Sequence, residues 1–320
     1  EDIINTNNHG TVALLVRENV HALLAATLLR KKGMKVRLLA GLEGFRLNCL
    51  WEMREFDIYL RNNTNEVGLI YQNMWAEARS WFNGKFGESI HNQSCNEVFN
   101  LFEKSGTTYE LSEWEDFICQ IKMEDAVNPE TETILVTTMH KSKGKEFDNV
   151  YIMMEGYNTL SANELRLLYV ATSRAKERLH IHVNSHFFRK WKLDGVEYKV
   201  HELPTSPPES FELILGLKDI NLNTARYKRA ESIIANLKTG DKLVKGGMSF
   251  NGKNAPGLTK LGLGNMLLFS RGFNDKKYQK LLDSGYDFEE AVVEYVVYWY
   301  DSKKEENVRI ILPKLYFEKK

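Results

Sequence analysis

The stretch from Thr11 to Leu39 most constrains the fold. TVALLVREN is an apolar run of strand length. HALLAATLLRKKGM follows with apolar residues at helical spacing and a glycine stop at Gly33, and KVRLL reads as a second strand. A strand, a crossover helix and a second strand within about 30 residues make a βαβ unit, whose natural outcome is a parallel sheet. Strand-like sequence resumes at ILVTTMH and NVYIMME, and a helix, NELRLLYVATSRAKER, leads to a last strand, LHIHVN. The two blocks therefore read as one α/β domain.

Between them, residues 45–127 turn to helices rich in Trp and Phe: LNCLWEMREFDIYL, NMWAEARSWFNGKF, SCNEVFNLFEK and LSEWEDFICQI. Aromatic stripes of this kind read as core, so the segment is expected to be a helical insertion. LPTSPPES, at 203–210, holds three of the six prolines and reads as a linker. Beyond it come FELILGL, the helix-like ARYKRAESIIANL, the glycine-rich KGGMSFNGKNAPGLTKLGLGN, the helix DKKYQKLLDSG, and the strand-like AVVEYVVYWY and VRIILPKLYF. They suggest a small α+β or barrel-like module. The expected division is residues 1–44 with 128–202, then 45–127, 203–210 and 211–320.

Lys plus Arg and Asp plus Glu both total 43, so the formal charge is zero and any polyanion site must be local. Cys49, Cys95 and Cys119 have neither zinc-site spacing nor the even count of a disulfide framework, which fits a reduced, cytoplasmic setting. No stretch reaches the roughly 18 uninterrupted apolar residues of a membrane helix, and EDIINTNNHG is no signal peptide. No membrane partner is expected. Without an initiating Met, the chain reads as a piece of something longer.

Two stretches carry the chemistry. In ILVTTMHKSKGKEF a strand delivers Thr138 and His140, and Lys143-Gly144 begins a turn where a missing Cβ lets backbone amides approach an anion. Glu146 suits a ribose hydroxyl better than a phosphate, so a nucleotide or nucleic-acid backbone meets both demands. In ELRLLYVATSRAK, Leu167, Leu168 and Ala171 can face a sheet while Arg174 projects from near the helix end. A guanidinium anchored on a packed helix suits charge on a transferring phosphoryl group. The bland reading is a surface arginine paired i,i+3 with Glu177.

Together, Thr138, His140, Lys143, Gly144, Glu146 and Phe147 resemble motif V of the UvrD, Rep and PcrA class of superfamily 1 helicases, and Leu167 to Lys176 resemble motif VI. VALLVREN is similar to the first strand of their second motor domain, with Glu18 in place of the usual Thr. The resemblance implies a RecA-like parallel sheet, with residues 45–127 as a reduced accessory insertion. It implies that Arg174 is the arginine finger reaching the γ-phosphate of ATP, and that Gly144 and Glu146 contact the nucleotide. His140 and Asn19 would touch single-stranded DNA, supported by Arg17. Ser173 stands where the family has Thr, and Leu165 where it often has a basic residue.

A motor of this class also needs GxxxxGK[ST] and a Walker B carboxylate pair for magnesium; these were not found, and Gly262-x-Gly264 is too isolated to be a dinucleotide fingerprint. ATP and Mg2+ would then be held mainly by an N-terminal motor domain of the same polypeptide, and this chain alone would be inactive. The alternative is a nucleic-acid-binding or partner-docking module that keeps the motor fold without ATPase activity. A nuclease fusion is disfavoured, because Asp283, Asp287, Glu289 and Glu290 read as the solvated face of a helix. Lys242, Lys245, Lys253 and Lys260 could make a flexible basic strip that tracks a phosphate backbone, and Tyr295, Tyr298, Trp299 and Tyr300 read as strand core in preference to a base-stacking platform. His180, His182 and His186 lack a nearby carboxylate or Cys, so no metal site is expected.

Overall fold

The structure, a computed structural model, describes residues 3, 9–39, 46–64, 67–103, 108–121, 133–154, 161–185, 188, 194–200, 208–250 and 253–320. It divides into two compact units: Glu1–Gly41 with Pro129–Glu212, and Leu42–Asn128 with Leu213–Lys320. Most of the proline-rich stretch at 203–210, together with His186, lies outside the described residues.

In the first unit, β1 (Val12–Val16) leads through α1 (Asn19–Lys31) to β2 (Val36–Leu39). Gly33, at φ +78°, ends α1 by donating its N–H to Arg30 O while Met34 donates to Leu29 O. That paired closure needs the left-handed backbone that glycine adopts without strain. Later come β5 (Ile134–Thr138), β6 (Phe147–Met154), α6 (Ala162–Thr172) and β7 (Ala175–Val183). Among the described residues the five strands form one parallel sheet in the order β2-β5-β1-β6-β7. β1 and β5 are buried at every position, as strands in the middle of a covered parallel sheet should be, and the buried Thr137 hydroxyl donates to Leu39 O. This α/β sheet is RecA-like.

The helix expected to run through Arg178 stops at Thr172, and AKER belongs to β7. The pairing of Phe147 with Ala175 shows why. A backbone bond from Phe147 N–H to Arg174 O draws the chain into the sheet. Helix propensity in AKER loses to a ladder that local sequence does not display.

In the second unit, α2 (Trp51–Asn63), α3 (Gln72–Phe86), α4 (Asn92–Glu103) and α5 (Leu111–Gln120) enclose an aromatic core, with a short hairpin of β3 (Leu69–Tyr71) and β4 (Thr108–Glu110). Phe56 is its centre: its ring stacks on Phe99 at 4.2 Å and meets Trp75 and Trp114 edge-on at 5.4 Å. Further strands are β8 (Ser210–Ile214), β9 (Lys242–Phe250), β10 (Lys253–Lys260), β11 (Gly264–Leu268), β12 (Tyr286–Asp301) and β13 (Glu306–Lys319), and α7 spans Lys228–Ala235. The described strands form a sheet in the order β11-β10-β9-β12-β13-β8, whose β9 to β13 pairings are antiparallel.

The helices and this sheet meet through paired polar groups. Buried Glu52 accepts from Ser89 Oγ at 2.8 Å and Thr239 Oγ1 at 3.2 Å. The His91 ring stacks on Tyr295 at 4.4 Å, and its Nε2 lies 2.7 Å from Glu294 O.

Two expectations for the C-terminal residues change. Asp287, Glu289 and Glu290 stand on β12, not on a helix, and Asp287 is buried. Its carboxylate accepts from Lys245 Nζ at 2.5 Å, Lys320 Nζ at 2.9 Å and Tyr278 Oη at 2.7 Å. Burial opposes ionisation there, but these donors outweigh it and hold the carboxyl well below the usual range. The glycine-rich basic stretch is strand, with Lys245 committed to Asp287 and Lys260 paired with Asp241 at 3.3 Å. Glycine serves close packing here: a Cβ on Gly257 would meet Leu267 O at 2.1 Å. Within this stretch, GMSFNGKN at 247–254 has the spacing of GxxxxGK, a likeness the sequence reading missed. Asn254 stands where a hydroxyl is required, and the segment pairs Phe250 with Lys253 across a β-hairpin rather than opening a helix. It is therefore no phosphate loop.

Of the four aromatics expected as strand core, one is buried, two are half-buried and one is exposed. Tyr295 is buried, and Arg54 and Arg226 cover Tyr298 and Trp299 at 4.7 and 5.5 Å; Tyr300 is exposed.

Candidate nucleic-acid and nucleotide site

The site grows from the carboxyl ends of β1 and β5, neighbours in the sheet, where open α/β folds bind ligands. β5 ends in Thr138, whose carbonyl accepts from the amides of Lys141 at 3.0 Å and Ser142 at 3.2 Å, curling the chain into a tight turn. Met139 N–H donates to Val16 O at 2.8 Å and pins the turn to the end of β1. Ser142 is fully buried and donates its hydroxyl to Met139 O at 2.7 Å. This residue was not singled out from sequence, where a serine among lysines reads as solvent-facing. Gly144, at φ +81°, releases the chain toward β6, with no heavy atom within 4 Å of where a Cβ would stand.

The first end of this loop faces an open cleft of about 760 Å³, lined by Arg17, Glu18, His140, Lys143, Ser161, Asn163, Glu164, Arg166, Leu167 and Val170. Arg17 and His140, widely separated in sequence, thus line one cleft. Asn19 opens α1, and the position of its side chain lies outside the description. Sequence did not single out Glu164 or Arg166. Glu164 was legible as the third helical residue after Ser161, which forms a capping box: Ser161 N–H donates to Glu164 Oε2 at 2.8 Å and Glu164 N–H to Ser161 Oγ at 3.3 Å. Its Oε1 lies 2.7 Å from Arg17 Nη1. The Ser161 amide first, then its hydroxyl and the Arg17 cation, hold the Glu164 carboxyl below its ordinary range.

The other end of the loop holds Arg174. This residue lies between α6 and β7, with Leu168 and Ala171 buried beneath the helix and Leu167 half-buried beside the cleft. Its Nε donates to Val170 O at 2.9 Å, Nη1 to Lys145 O at 3.0 Å and Nη2 to Ser173 Oγ at 2.9 Å. Val170 O is one of the open carbonyls at the end of the helix, where a cation is favoured. The bland pairing with Glu177 does not describe these contacts. A guanidinium has five N–H groups, so among the described residues two remain for an incoming oxyanion. Glu146 is exposed, 3.9 Å from Lys176 Nζ.

One eight-residue turn, 139–146, thus reaches the cleft through His140 and Lys143 and grips Arg174 through Lys145 O. Arg17 and His140 line the cleft, and Val170, which also lines it, accepts from Arg174 Nε. His180 and His182 stand elsewhere, on β7, with their rings stacked over Tyr151.

No curated protein matches the chain. Residues 133–182, covering β5, the turn, β6, α6, Arg174 and most of β7, match the family model of the UvrD-like helicase C-terminal domain. Arg17 and Asn19 fall outside that match. This part of the chain is a UvrD/Rep/PcrA-like C-terminal portion.

Proposed function

We propose that the chain supplies the second motor domain of an ATP-dependent DNA helicase, with Arg174 as the arginine finger and Arg17, Asn19 and His140 as part of a single-stranded DNA track. The observation that carries this reading is the turn 139–146, which touches the cleft at one end and the guanidinium at the other. A shift of the turn caused by a strand in the cleft would move the Lys145 carbonyl and hence Arg174. Coupling of this kind can travel through a hydrogen-bonded element, and this turn is bonded at Met139, Ser142 and Lys145.

The residues present fit a nucleotide. Arg174 keeps two N–H groups, Gly144 leaves room for close approach, and Glu146 offers an exposed acceptor for a ribose hydroxyl. ATP and Mg2+ would be held mainly by an N-terminal motor domain of the same polypeptide, acting in the cytoplasm. Bound ATP supplies the phosphoryl group whose developing charge the guanidinium neutralises. Leu168 and Ala171, packed beneath α6, fix the backbone from which Arg174 reaches.

The test is ATPase activity, with and without single-stranded DNA, in the polypeptide carrying both motor domains. Arg174→Ala is expected to lower kcat by about 10³-fold or more while nucleotide affinity changes little. Turnover near wild type would overturn the finger assignment. This chain alone is expected to hydrolyse nothing. The second reading is a nucleic-acid-binding or partner-docking module that keeps the motor fold without ATPase activity. A full-length protein silent with or without DNA, yet binding single strands, would select it.

A further inference from the structure

The cleft beside the turn gathers Arg17, Lys143 and Arg166, yet one wall carries a carboxylate aimed at the first of them. Glu164 Oε1 stands 2.7 Å from Arg17 Nη1, and its other oxygen is held at 2.8 Å by the Ser161 amide. The carboxylate is therefore fixed from behind by the helix cap while it faces the guanidinium. Arginine recognises carboxylate and phosphate through the same planar fork of donors, so the two compete for it directly.

We propose that Glu164 is a phosphate-mimicking latch, which occupies Arg17 until a nucleic-acid phosphate displaces it. The inference rests on the nucleic-acid reading of the cleft. It makes Glu164 a specificity-determining residue. A lone phosphate or mononucleotide gains little by exchanging one anion for another at Arg17. A strand that also engages Lys143 and Arg166 recovers the exchange from its other contacts. The latch thus favours a polyanion over its monomer.

Glu164→Gln separates the latch from the cap, because glutamine also serves a capping box but carries no charge. The probe is a fluorescein-labelled oligothymidylate, titrated with the whole 320-residue chain over a range of salt concentrations and followed by anisotropy. Glu164→Gln should bind about two- to fivefold tighter at low salt, the scale of one exposed ion pair. The slope of log K against log salt should steepen by about 0.7, one additional phosphate neutralised on a single strand. The gain should vanish when Arg17→Gln is added.

Wild-type binding with no gain in Glu164→Gln overturns the latch. So does an equal gain in the Arg17→Gln background, which would mean simple charge repulsion. If neither protein binds the probe at low salt, the nucleic-acid reading itself fails and the latch falls with it. Should Glu164→Gln fail to fold, single substitutions decide the matter. A latched Arg17 contributes less net counterion release than Lys143, so Arg17→Gln must lower the salt slope less than Lys143→Gln. An equal or larger effect at Arg17 refutes the proposal.

Discussion

Gly144→Ala and Gly33→Ala should weaken the first unit equally and the proposed function unequally. Both glycines have φ near +80°, at +81° and +78°, and neither has a heavy atom within 4 Å of an added Cβ. The cost is therefore backbone conformation alone. A left-handed L-residue costs about 1–2 kcal/mol, and the stiffer unfolded chain returns about 0.4–1 kcal/mol. The net loss is about 1 kcal/mol at either site. At Gly33 the strain falls on the end of α1. At Gly144 it falls on the turn that carries His140 and Lys143 and grips Arg174. If all of it is relieved by distorting that turn, oligothymidylate binding drops by up to about fivefold. Gly144→Asn should recover most of the loss, because asparagine tolerates this backbone.

The assay pairs thermal unfolding by far-UV circular dichroism with anisotropy. Five of the six tryptophans, Trp51, Trp75, Trp81, Trp114 and Trp299, fall in the second unit, so tryptophan fluorescence recorded in a Trp191→Phe background provides an internal control that should barely move. Equal loss of binding in Gly33→Ala, or no stability change in Gly144→Ala, would refute the reasoning.

Phe56→Ala, at the centre of the aromatic core, should destabilise the second unit by about 3–5 kcal/mol and shift the tryptophan transition in urea. Asp287 has a depressed folded-state pKa, so its contribution is present above its unfolded value and is lost as pH falls below the ordinary carboxylate range. Lys245→Met removes one donor that depresses it, and acid unfolding followed by fluorescence should then begin at higher pH. Cys119 is exposed and should react first with a thiol reagent. Cys49, half-buried with its pKa raised chiefly by burial, should follow, and Cys95, fully buried with its pKa raised further, should react only on unfolding. A thiol count of three in the native protein would contradict that order.

Local sequence was sufficient where the physics is local. The period of β1 and α1 and the Gly33 stop specify a βαβ unit, because side-chain direction and backbone freedom are set by near neighbours. Tertiary structure decided everything that depends on which surfaces meet. AKER became strand because Phe147 offered a ladder, and Asp287 became buried because Lys245, Tyr278 and Lys320 converge on it from other elements. Ser142 turned inward because the pinned turn leaves its hydroxyl only the Met139 carbonyl. The Arg17–Glu164 pair is the same case for function: charge, cap and spacing are all visible in the chain, but their opposition across a cleft exists only once β1 and α6 are placed. Hydrogen bonds act over a few ångströms and sequence separation does not measure them, so the fold class was legible early and the wiring of the site was not.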